Sequence, residues 1–157
     1  MDKAKQVGIS FGLTSAVITT LGLMVGLDAS TGSKEAVIAG ILTIAIADAF
    51  SDSLGVHLAK ESEGNFHSRQ VWQATFSTFF YKLIFALTFL IPAIFLKSPW
   101  SLYVAIAWGT LILTVLNINI AKRNHKKPVK VIAEHLLIAA AVVLISYLAG
   151  RSISRLF

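Results

Sequence analysis

The sequence predicts an all-α integral membrane protein, a single domain of five transmembrane helices. Three observations carry this. The chain of 157 residues is 55% hydrophobic and only 14% charged, against about 25% charged in soluble domains. Its mean hydropathy is +0.73. Its apolar residues fall into five runs, at about 7–27, 36–59, 71–96, 101–121 and 129–150. Each run is long enough to cross a hydrocarbon core of roughly 30 Å at about 1.5 Å per helical residue. The runs lack the two-residue alternation of barrel strands. The polar segments between them are turns, too short for a separate soluble domain.

Charge patterning gives the expected topology. The net charge is +6, but the basic residues sit in short segments between apolar runs. That pattern argues for membrane topology and against a nucleic-acid partner. With the N-terminus in the cytoplasm, Lys3, Lys5, Lys60, Arg69, Lys122, Arg123, Lys126, Lys127 and Lys130 share that side. Lys34, Lys97, Arg151 and Arg155 lie on the other. Nine against four predicts N-terminus in and C-terminus out. The first run is too long for a signal-peptide core and is read as a retained helix. The absence of cysteine excludes disulfides and thiolate metal sites. Five is an odd number, so two equal inverted repeats cannot fill the chain.

In the first span, Gly8, Gly12, Ser15, Thr19, Gly22 and Gly26 recur at spacings of 4, 3, 4, 3 and 4. This places six small residues on one helix face. Small faces let membrane helices approach closely. The seam fits packing within the chain, or a homodimer interface with Ser15 and Thr19 lining a path.

The second span, "ILTIAIADAFSDSLGVHLAKESE", carries carboxylates inside an apolar helix. Asp48, Ser51, Asp52 and Gly55 follow the i, i+3, i+4, i+7 rule and share a face. Asp48 lies roughly 12–18 Å below the cytoplasmic end. A central Asp costs about 2.5–3.5 kcal/mol to insert. Two like charges one turn apart also repel, so at least one must be neutralised by a proton or a cation. Three readings follow. Asp48 and Asp52 with Ser51 can bind a hard cation through oxygen ligands. They can relay protons. Or Lys82, in the third span at a depth similar to that of Asp48, can neutralise one of them in a structural ion pair. At the cytoplasmic mouth, His57, Glu61, Glu63 and His67 could collect metal, or simply form a solvated helix end with a break at Gly64.

The third span also presents Gln73, Ser77, Thr78 and Tyr81, a polar edge able to face the second helix. In the fourth span, Asn117 and Asn119 point to different faces and suit interhelical hydrogen bonds. Trp72, Trp100 and Trp108 mostly sit near span ends, as interfacial aromatics do. The fifth span opens on Glu134 and His135 beside the basic run "KRNHKKPVK", a topology anchor and anionic-lipid contact.

Two segments together resemble the vacuolar iron transporter family. "GISFGLTSAVITTLGLMVGL" is similar to its glycine-spaced first helix. "AGILTIAIADAFSDSLGVHLAKESE" follows the rhythm of its second. The resemblance covers mainly the first 63 residues. It implies a homodimer with first helices meeting at the axis, moving Fe²⁺ or Mn²⁺ out of the cytoplasm in exchange for protons. This chain has Ser15-Ala16 where that family has Asp-Gly, Ile44 near its Glu, and Asp52 in place of its Met. The carboxylates are thus kept but moved within the second helix. The link "KESEGNFHSRQ" is too short for the cytoplasmic domain of the larger members.

The expected function is therefore divalent cation transport, of Fe²⁺, Mn²⁺ or another hard cation, with no permanently bound cofactor. The expected metal residues are Asp48, Asp52 and Ser51, the path Ser15 and Thr19, and the charge partner Lys82. One alternative is a membrane protein in which Asp48, Asp52 and Lys82 only fix packing. Another is a metal-dependent membrane enzyme using D-x-x-x-D. The enzyme is disfavoured, because the upstream Asp-Gly and Ala-Arg pairs of the phospholipid-synthesising transferases do not precede Asp48. No H-E-x-x-H motif occurs either.

Overall fold

A computed structural model describes residues 3–125 and 127–156. Lys126, of the basic run, lies outside the described residues. The chain forms α1 (Lys3–Thr31), α2 (Lys34–Ser62), α3 (Ser68–Thr88), α4 (Leu90–Phe95), α5 (Trp100–Arg123) and α6 (Pro128–Leu156). With α3 and α4 taken together, five helices are long and apolar enough to cross a membrane. They outrun the predicted spans at most ends. Apolar composition marks the hydrocarbon part, while charged ends such as Lys3–Lys5 and Lys60–Ser62 simply continue the helix.

Local chemistry sets the breaks. Gly32 (φ +59°) turns the chain out of α1. Ser33 then caps α2, its hydroxyl oxygen accepting from the Ala36 N–H at 3.1 Å. Gly64 (φ +66°) follows α2, as its position in the sequence leads one to expect. The α3 N-terminus is tied by the His67 N–H donating to Gln70 Oε1 at 3.1 Å. The predicted third span is not one continuous helix. It breaks at Phe89, whose N–H bonds back only three residues to Ala86 at 3.1 Å. Pro92 lacks an N–H and its ring crowds the carbonyl four residues before it. The Thr88 hydroxyl steadies the break, donating to Phe85 O at 2.6 Å and accepting from Trp108 Nε1 at 2.9 Å. Trp108 thus ties α5 to the end of α3.

Helix α1 stands at the centre, against α3 and α6 most extensively and against α2 and α5 as well. Its core side chains Leu13, Val17, Leu21 and Met24 pack with Ile41, Phe89, Ile112 and Leu113. Large apolar residues cover the outside, among them Phe50, Leu54, Phe76, Phe80, Leu144 and Ile145. In water such a surface would aggregate; in a bilayer it is the expected lipid-facing coat.

The small-residue seam is occupied from within the chain, by two different helices. A Cβ on Gly8 would run into the Ala74 carbonyl oxygen, and one on Gly12 would lie 2.7 Å from that of Thr78, both on α3. Gly22 and Gly26 face α6 at Val142 and Ser146. The strip turns from one neighbour to the other because a straight helix drifts by about 20° per heptad from a 3.5-residue repeat. A homodimer using this same strip would have to displace α3 and α6.

Candidate functional site

The buried stripe of α2 is Val37, Ile41, Ala45, Ala49, Ser53 and Val56. Asp48 and Asp52 each precede a stripe residue by one position, so both lie at its margin. Their side chains are 26% and 19% exposed. Lys82, on the buried face of α3, is 1% exposed. The lysine is the inner member of the cluster and the carboxylates are its outer wall.

Lys82 Nζ donates to Asp48 Oδ2, to Asp52 Oδ2 at 2.6 Å and to Ser15 Oγ at 2.5 Å. Ser15 Oγ in turn donates to Asp52 Oδ2 at 2.6 Å. An ammonium has three N–H bonds and no acceptor. Here each of the three finds an oxygen, which is how a buried charge is made tolerable. Three helices contribute: α1 through Ser15, α2 through both aspartates, α3 through Lys82. The close approach of Gly12 to Thr78 and Lys82 is what brings the α1 hydroxyl within reach.

Charge counting shows what is left over. One ammonium is shared between two carboxylates, so with all three ionised the site carries one net negative charge. Among the described residues the Oδ1 atoms of Asp48 and Asp52 have no hydrogen-bond partner. The site therefore retains both charge and free oxygen lone pairs.

Ser51 does not join this group. It is exposed and lines a groove of 520 Å³ with Phe50, Trp72, Phe76 and Phe79. On a helix it lies about 100° from Asp52, and the three hydrogen bonds of Lys82 go to Asp48, Asp52 and Ser15 instead. Thr19 donates to the Ser15 carbonyl at 2.8 Å, bracing the α1 backbone rather than offering a free hydroxyl to the cluster.

The expected cytoplasmic quartet divides into separate contacts. His57 Nδ1 lies 2.9 Å from Thr75 Oγ1. That hydroxyl also lies 2.9 Å from Val71 O, and when it donates its proton there His57 Nδ1 is the donor. His57 Nε2 faces Glu61 at 4.0 Å. Glu63 pairs instead with Lys60 at 2.7 Å, and His67 sits at the α3 N-terminus. Among the described residues no three His, Cys, Asp or Glu side chains converge on one point. Ser77 and Thr78 face α1 at Gly8 and Gly12, not α2 as the polar-edge reading expected. Thr75, which does reach α2, was not singled out by sequence reasoning. Its i−4 hydroxyl bond gave no sequence signal.

Asn117 is fully buried, and neither of its amide atoms has a partner among the described residues. The expected interhelical hydrogen bond is not made. Asn119 donates to Val115 O of its own helix at 3.0 Å. An unpaired buried amide is a stability cost, and an apolar residue of similar shape removes it. Asn117→Leu should therefore raise the stability of the detergent-solubilised protein by about 1–3 kcal/mol. A thermal melt monitored by circular dichroism measures this, and a lowered melting temperature would mean that the amide is partnered in the working protein.

The larger grooves between helices are mainly apolar. One of 660 Å³ between α1, α5 and α6 has Asp28 as its one charged lining residue. No family model, curated protein or solved structure matches the chain.

Proposed function

We propose that this chain is a multi-pass membrane transporter for a divalent cation, with Asp48 and Asp52 as the ion site. The observation that carries the reading is the mismatch of one buried ammonium with two carboxylates. A purely structural pair needs one acid for one base. The second carboxylate leaves a negative, oxygen-rich site partly open at the chain surface, suited to a hard cation. The similarity of residues 8–27 and 39–63 to the vacuolar iron transporters supports the same class of cargo, Fe²⁺ or Mn²⁺. The excess of basic residues in the first, third and fifth polar segments supports a cytoplasmic N-terminus and export from that side.

Reconstituted liposomes test this. Asp48→Asn and Asp52→Asn keep side-chain shape and remove charge. Each should lower Mn²⁺ flux by roughly tenfold or more, the value of a charge-assisted interaction. Wild-type flux in both variants would remove the proposed ion site.

One observation favours a second reading. Lys82 is fully buried with every N–H bonded, the condition for an ion cluster that only fixes helix packing. In that case the two variants change stability but no flux is seen in the wild type either.

A further inference from the structure

We propose that Lys82 is a tethered stand-in for the cargo: its ammonium occupies the cation position itself, and a divalent cation binds when the ammonium withdraws. The inference rests on the reading of Asp48 and Asp52 as an ion site. Asp48 Oδ2, Asp52 Oδ2 and Ser15 Oγ, from two helices, converge on one point, and that point is Lys82 Nζ. The Ser15 and Asp52 oxygens lie 2.5 and 2.6 Å from it. Three hard oxygens about one centre make up half of an octahedral shell, of the kind Mg²⁺, Mn²⁺ and Ca²⁺ accept.

Two cations cannot share that point. A divalent ion there neutralises both carboxylates, whereas the ammonium neutralises one. The ion is thus the better electrostatic fit, while the lysine has the advantage of its tether, which sets a high effective concentration at the site. The competition gives a threshold. Cargo enters only when its concentration outweighs the tethered competitor, and the returning lysine helps to expel it.

The lysine has somewhere to go. Helical side chains lean towards the N-terminus and reach the residue four positions back. For Lys82 that residue is Thr78, fully buried, whose hydroxyl donates to Ala74 O at 2.9 Å and keeps its acceptor lone pairs. Lys82 therefore acts as a selectivity residue through the oxygens it occupies, without belonging to the ligand set.

The test is Mn²⁺ binding to the purified full chain in detergent, at one pH and ionic strength, by isothermal calorimetry or Mn²⁺ electron paramagnetic resonance. Lys82→Met should bind Mn²⁺ at least tenfold more tightly than the wild type. Binding no tighter than wild type overturns the proposal. Should Lys82→Met fail to fold, Lys82→Arg carries the test. Its bulkier, permanently charged guanidinium cannot clear the oxygens as readily, so binding should weaken at least tenfold, and wild-type affinity would overturn the proposal. If Mn²⁺ binds neither the wild type nor either Lys82 variant, or binds Asp48→Asn and Asp52→Asn as well as the wild type, the cation-site reading itself falls and the inference with it.

Discussion

Replacing Asp48 and Asp52 together with alanine should destabilise the protein by about 3–5 kcal/mol, the cost of leaving a buried charge without its partners. Lys82 is 1% exposed, and two of its three hydrogen bonds go to these carboxylates. In the double variant, Ser15 is the one remaining acceptor of the three. Adding Lys82→Met should restore most of the loss, because replacing a whole buried ion cluster by apolar side chains is often neutral or stabilising. Unfolding in mixed micelles, followed by circular dichroism, gives both numbers. A double variant as stable as the wild type would show that Lys82 is solvated in the working protein. A triple variant no more stable than the double would show that the cluster contributes through shape rather than charge. The same series separates stability from transport, since the triple variant should fold and carry no Mn²⁺.

The helical architecture was readable because lipid imposes one strong rule, about twenty apolar residues per crossing. The match of Lys82 to Asp48 was readable from depth alone, since rise per residue fixes height in a bilayer. What depth cannot give is rotation. Spacing groups Ser51 with the aspartates, yet Ser51 is exposed and outside the cluster, and the third oxygen comes from Ser15 on another helix. Only the packing of α1 on α3 decides between the two serines. The seam shows the same limit. Its glycines announce close approach, but sequence does not say to which helix, and the answer changes from α3 to α6 along its length. The break at Phe89 had its signal in Pro92, set inside an otherwise continuous apolar run.

Gly12→Val should therefore damage the site without touching any of its charges. A Cβ at position 12 would lie 2.7 Å from the Thr78 carbonyl oxygen and 3.2 Å from the Lys82 backbone nitrogen. Both are backbone atoms of a helix, so neither can swing aside. The branched side chain must push α1 and α3 apart, at about 1–3 kcal/mol for an overpacked contact. Ser15 stands one turn further along α1 and Lys82 is itself at the contact, so the same displacement draws the hydroxyl away from the ammonium and from Asp52. Mn²⁺ flux should fall by roughly tenfold or more, the value of one charge-assisted hydrogen bond. Gly26→Ala is the control. Its Cβ would meet Ser146 at 3.5 Å, an ordinary contact, so stability and flux should stay near wild type. If Gly12→Val instead keeps wild-type flux with lowered stability, the helix spacing at Gly12 serves the fold alone and the oxygens reach the cation by another route. If both properties survive, α1 and α3 are not held at this distance in the membrane. Gly12 thus carries two loads at once, a packing contact and the alignment of a charged cluster, and the ratio of flux lost to stability lost measures how tightly they are joined.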